Sequence, residues 1–350
     1  MKLILKTIAF ISLVTTVVSC AKSENKPPEN STWEVTTLAG SVKGRKDGLG
    51  TNAQFDGPTA ICVDMQGNIY VADMYNHLIR KITPAGQVNT LAGSSIGYLD
   101  GNGAFSKFNQ PGGICVDQHG NVFVADIYNH KIRKITPSGD VTTVAGSTPG
   151  YADGKGSAAK FYYPVGICID SDGILYVADQ INNKIRKITQ DGTVSLYAGG
   201  PGGNANGPST TAGFNNPTGI CINAEKTVFV VDYSGHRIRK ISKDLMVTTL
   251  AGNTEGFADS IGSAALFDHP FGLCLDKEGN VIVADMGNQK IRKVAVDGTV
   301  TTIAGIDPGY IDGAIDSAKF QSPTGICMDK QGNFYIAEVG GHHIRKLSKP

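Results

Sequence analysis

One dodecapeptide is written six times along the chain. "VADMYNHLIRKI" at residues 71–82 returns as "VADIYNHKIRKI", "VADQINNKIRKI", "VVDYSGHRIRKI", "VADMGNQKIRKV" and "IAEVGGHHIRKL". Its acidic positions, Asp73, Asp126, Asp179, Asp232, Asp285 and Glu338, follow one another at 53 residues, and Cys62, Cys115, Cys168, Cys221, Cys274 and Cys327 keep the same step. A fixed period of this length restricts the chain to equivalent units that bury their faces on one another.

Within one unit every apolar run is short. "AICVD" (60–64), "IYVAD" (69–73), "LIRKIT" (78–83) and "VNTLAG" (88–93) are rich in β-branched residues and are separated by "MQGN", "MYNH" and "PAGQ". That order of runs and turns predicts antiparallel hairpins, and none of the runs has the length or period of a helix. Glycine, at 44 of 350 residues, is well above its ordinary share and fits a turn-rich chain. In "IYVA" both alternating sets are apolar, so both sheet faces must be covered. The expected fold is all-β: a six-bladed β-propeller of four-stranded antiparallel blades. The last unit stops after "HIRKLSKP", one strand short, while "WEVTTLAG" (33–40) matches the fourth strands "DVTTVAG" and "TVTTIAG". The N-terminal strand is therefore expected to close the ring, and residues 33–350 number 318, six times 53.

The first twenty residues follow another logic. "MKLILKTIAFISLVTTVVSC" runs from lysines through an apolar stretch to Ser19 and Cys20, the order of an export signal and too short to span a bilayer. Residues 21–32, "AKSENKPPENST", have almost nothing to bury and read as a flexible tether, which leaves 33–350 as the propeller. Without Lys2 and Lys6 the 32 basic side chains fall to 30 against 31 acidic ones, so no positive field draws nucleic acid.

Two resemblances follow from these residues. "Val17-Val18-Ser19-Cys20" resembles the lipobox of bacterial lipoproteins, which implies cleavage before Cys20, lipidation of its thiol, and membrane contact through that anchor alone. Ala21 after the cysteine is, by the same analogy, compatible with an outer-membrane address on the cell envelope. The pattern P-x-G-I-x-x-D-x-x-G-N-x-Y-V-A-D-x-x-N-H-x-I-R-K resembles the NHL repeat from about residue 33 to the end. Some relatives of that fold are lyases or lactonases, similar to the peptidyl-amidoglycolate lyase and gluconolactonase groups, with metal-binding or acid–base residues gathered near the axis.

An active site is used once, whereas Asp73/Arg80, Asp126/Arg133, Asp179/Arg186, Asp232/Arg239, Asp285/Arg292 and Glu338/Arg345 recur in every copy. They are expected to be structural, as local pairs or as carboxylates accepting turn amides. The six spaced cysteines are expected to be buried thiols, since equivalent points in adjacent sheets lie roughly 10 Å apart and bridged Cα atoms within about 7 Å. The "DG" turns at Asp47, Asp100 and Asp153 offer one carboxylate each, too few for calcium, and no C-x-x-C or neighbouring histidine spacing supports zinc. No cofactor is expected, calcium and zinc being the exceptions to look for.

In a meander the second-to-third turns and the long inter-blade loops share one face. That face holds the differences between copies: Tyr75, His77, Tyr128, His130, Tyr233, His236, Phe271 and His342 are the candidate ligand-binding residues. The expected function is a non-enzymatic, monomeric envelope lipoprotein holding a protein, peptide or glycan on that face. The alternative is a metal-dependent lyase or lactonase.

Overall fold

The computed structural model describes residues 33–349, and Cys20, the expected signal segment 1–20 and the expected tether 21–32 lie outside them. Six antiparallel sheets are present. The first blade runs Pro58–Val63, Ile69–Asp73, Leu78–Ile82 and Gln87–Ala92. The next four open at Pro111, Pro164, Pro217 and Pro270. The sixth takes Pro323–Met328, Phe334–Glu338 and His343–Ser348 from the C-terminus and Glu34–Ala39 from the N-terminal side, with Val35 opposite Leu347. The innermost strands touch in a closed circuit, Pro58–Val63 lying between Pro111–Val116 and Pro323–Met328. The chain is a six-bladed β-propeller.

The blades differ from the expected four strands in one respect. Five of the six sheets gain a fifth strand of two residues, such as Gly48–Leu49 or Gly101–Asn102, folded back from the inter-blade loop. It covers the outer edge, which would otherwise present unpaired backbone groups to other chains.

The core lies between blades. One cluster joins Phe123, Ala125, Ile132 and Ala145 of the second blade to Phe161, Leu175 and Val177 associated with the third. No sheet can bury both faces alone, which is the physical reason for a closed ring. Full burial of side chains the size of Phe161 or Val177 contributes about 1.5–3 kcal/mol each. Around the axis Ile61, Ile114, Ile167, Ile220, Leu273 and Ile326 line a channel narrowed to about 70 Å³. Beside them five copies have glycine where the first has Ala60. A Cβ at Gly166 would overlap the Thr218 carbonyl oxygen of the next blade, and one at Gly113 the Val165 carbonyl oxygen. The cysteines that follow on these strands are free thiols, and burial pushes the pKa of Cys62, Cys115, Cys168, Cys221, Cys274 and Cys327 upward.

Candidate functional site

Each blade contains one fully buried arginine. Arg80 donates through Nη1 to Asp73 Oδ2 at 2.7 Å and through Nη2 to Asp47 Oδ1 at 2.6 Å, and it also donates to the carbonyls of Gln54 and Lys46. The corresponding Asp pairs of Arg133, Arg186, Arg239 and Arg292 span 2.6–3.1 Å. Glu338 meets Arg345 at 3.2 Å. The second acceptor is Asp100, Asp153, Asp259 or Asp312, with Asn206 in the fourth blade. Beyond the turn role expected of them, the "DG" aspartates Asp47, Asp100 and Asp153 each neutralise an arginine 33 positions on. Asp47 accepts the amide of Thr90 as well, where the outer pairing shifts register, so it satisfies a group that the bulge frees.

Rings enclose the same arginines. Phe55, Phe108, Phe161, Phe214, Phe267 and Phe320 lie 5.0–5.4 Å from the guanidinium carbons. A second ring, Tyr98, Tyr151, Phe257 or Tyr310, lies 4.6–4.9 Å from four of them. Such a frame of charge, carbonyl and ring has no open position for substrate. The Asp carboxylates are occupied too: Asp73 Oδ1 accepts the Asp56 amide and Oδ2 the Asn76 carboxamide. Burial pushes the carboxyls of Asp73, Asp126, Asp232 and Asp285 up to about 6.

The histidines of the loop-rich face have a role that the sequence did not reveal. His77 ends a 3₁₀ turn in the left-handed region, at φ 59°. Its Nδ1 accepts the Gln110 amide of the next blade at 3.1 Å. His130, His236 and His342 accept from Tyr163, His269 and Gly57 at 3.1–3.3 Å, while Asn183 Oδ1 accepts from Asn216 at 2.8 Å and Gln289 Oε1 from Ser322. All six donors precede the proline that opens an innermost strand and hold φ between 45° and 62°. For a non-glycine residue such a backbone costs on the order of 1–3 kcal/mol, and the captured amide offsets it. Every blade is stitched to the next by this bond.

The bond also fixes chemistry. A neutral imidazole that accepts at Nδ1 carries its proton at Nε2. Burial lowers the pKa of His77, His130, His236 and His342, which favours that neutral form. Each therefore keeps its proton at Nε2.

Candidate residues gather at two seams. Between the second and third blades Tyr128 packs on Tyr163 at 4.8 Å, Tyr162 on Tyr163 at 5.2 Å, and His130 on Tyr163 at 5.0 Å. Tyr128 stays 45 % exposed and Tyr162 37 %. Between the fourth and fifth blades Tyr233 lies 4.9 Å from His269 and 6.0 Å from Phe271, and His236 stands edge-on to His269 at 4.6 Å. His269 Nδ1 meets Asp268 Oδ1 at 2.6 Å. Tyr75 and His342 belong instead to the closing seam, where an added Cβ at Gly57 would overlap the Tyr75 ring. Tyr162, Tyr163, Asp268 and His269 were missed in the sequence. Their signal is the dipeptide before each strand-opening proline, which varies as Asp-Gly, Asn-Gln, Tyr-Tyr, Asn-Asn, Asp-His and Gln-Ser.

The donor atoms of His236, Asp268 and His269 lie within 4.8 Å of one another, a spacing that raises the question of a metal. The residues do not fit one as arranged. A ligating imidazole donates its remaining N–H to an acceptor, whereas the remaining nitrogen of His236 accepts an amide. The opposite face is not featureless either. Clefts of about 640 and 500 Å³ open there beside Asp170 and Asp276. Between them Lys226 bridges Asp170 and Asp172 at 2.9 and 3.0 Å.

Known proteins share this pattern. The family model described as NHL repeat matches residues 55–82, 108–135, 161–188, 214–241 and 320–347, each block running from the buried phenylalanine to the end of the third strand. NHL repeat-containing protein 2 of Bos taurus is 29 % identical over 337 residues, covering 83 % of this chain and 46 % of its own. The chain thus spans about half the length of the curated relatives it matches. An auxiliary nutrient binding protein from Bacteroides ovatus superposes with a TM-score of 0.71 at 18 % identity, over 91 % of this chain and 77 % of that one. Virginiamycin B lyase from Staphylococcus aureus does so at 0.55 and 16 % identity, over 90 % and 99 %. At these identities the likeness is one of fold.

Proposed function

We propose that this NHL-repeat protein, closed as a six-bladed propeller, is an envelope-anchored binding protein that holds its partner on the loop-rich face. The carrying observation is the contrast between frame and rim. The ionised groups recurring in each repeat are buried in six equivalent frames, while the loop-rich face differs from blade to blade and exposes Tyr75, Tyr128 and Tyr162. Loops on a rigid scaffold are where recognition resides. The fold likeness to an auxiliary nutrient binding protein supports the reading. In it, Cys20 carries the lipid and residues 21–32 the reach. The test is capture from envelope extract by the wild type and by a Tyr75→Ala, Tyr128→Ala, Tyr233→Ala variant. A ligand lost with the rings supports the choice of face, and an unchanged set of ligands overturns it. Incorporation of labelled palmitate that survives Cys20→Ala would overturn the anchor.

A second reading as a lyase or lactonase has one observation in its favour. The Asp268 carboxylate holds His269 by Nδ1 and leaves Nε2 as a base in the manner of an oriented imidazole. Turnover of lactone or amidoglycolate substrates that disappears in His269→Ser would establish it.

A further inference from the structure

Resting on the binding role of this face, we propose that the seam between the fourth and fifth blades is a subsite for one pyranose ring of a neutral oligosaccharide. Two imidazoles stand there with opposite polarity. His236 accepts the His269 amide at Nδ1, so its Nε2 is a donor. His269 Nδ1 meets Asp268 Oδ1 at 2.6 Å; as the donor of that bond in a neutral ring it leaves Nε2 an acceptor. The rings stand edge-on with centroids 4.6 Å apart. A sugar hydroxyl both accepts and donates, and adjacent hydroxyls of one ring answer both nitrogens at once. The Asp268 carboxylate is engaged by His269, which matches an uncharged ligand.

Aromatic side chains stand at the same seam. Tyr233 lies 4.9 Å from His269 and edge-on to Phe271 at 6.0 Å, which places an aromatic ring beside the polar pair. Where the first two blades carry Tyr75 and Tyr128, the fifth carries Gly287, and a Cβ there would overlap the Asp268 carboxyl carbon. That glycine admits the Asp268 carboxylate that holds His269. At the seam of the second and third blades the matching positions are Ile181 and the Tyr162–Tyr163 pair, whose rings pack at 5.2 Å.

The repeat supplies substitutions that keep the fold and change the chemistry. His236→Asn reproduces Asn183, which makes the same interblade bond, and His269→Ser reproduces Ser322. The full chain in detergent is titrated by calorimetry with malto-, cello-, xylo- and mannohexaose, with zinc chloride and a pooled peptide library as further arms. The expected result is that one hexaose binds and that each variant weakens it about tenfold, the loss of one hydrogen bond, at an unchanged melting temperature. Sugar binding that both variants leave intact overturns the subsite while keeping the face. Binding of peptide and of no sugar overturns the glycan assignment but not the binding role. Equimolar zinc held by the wild type and lost in His269→Ser replaces the sugar site with a metal site. The absence of ligand in every arm overturns subsite and binding role together.

Discussion

At the scale of single residues the molecule is dominated by its six arginines. Arg133→Met leaves Asp126 and Asp100 without their cation and two carbonyls without a donor. Orphaning a buried charge of this kind costs about 3–5 kcal/mol, so urea denaturation should show a lower midpoint at an unchanged slope. Glu338 supplies a pH dependence. Burial pushes its carboxyl up from 4.5 to about 7, against the pull of Arg345, and Gly341 stands where Asn76 braces Asp73. Its proton is held more tightly in the fold than in the unfolded chain. The stability it contributes is therefore complete below pH 4.5 and is lost as pH rises through about 7. The advantage of the wild type over Glu338→Gln should shrink across that window in thermal melts, and a constant difference would refute the coupling. The Asp–Arg pairing was legible because both partners lie in one hairpin, seven residues apart. Asp47 and Asp100 were not, because 33 residues and a bulge intervene. The bond from the histidines to the next blade was not legible either, because it depends on a left-handed backbone that no spacing announces.

Elements tell a similar story. The strands emerged within two residues of their structural limits, since β-branched runs and Gly or Asn turns alternate without ambiguity. The two-residue outer strands were invisible: a pair such as Gly101–Asn102 has no pattern of its own, and only the neighbouring sheet edge makes it a strand. The innermost strands carry the sharper test. Gly166→Ala places a methyl group against the Thr218 carbonyl oxygen, and overpacking of this kind costs about 1–3 kcal/mol. Differential scanning calorimetry should find a lowered melting temperature, whereas Ala60, at the same position of the first blade, already carries its Cβ. A variant as stable as the wild type would mean that the inner ring relaxes freely. The thiols beside these glycines, raised in pKa by burial, should resist a disulfide-exchange reagent until the protein unfolds.

For the whole molecule the decisive element is Glu34–Ala39. It pairs with His343–Ser348 and contributes the wholly buried Val35 to the cluster holding Phe320 and Leu347. Deleting residues 33–40 should expose that cluster and raise dye binding by apolar surface. It should also replace one cooperative transition with a broad one, and an unchanged melt would remove closure as the source of stability. Closure was readable because the last repeat lacks a strand and the first supplies one. The bond between blades has a consequence of its own. It asks its side chain only for a lone pair, and imidazole, asparagine and glutamine all satisfy it. Each copy can therefore exchange the group it shows to the surroundings without disturbing the joint. An ancestor with six like modules could diversify one at a time, and a laboratory could reprogram what the ring recognises in the same way.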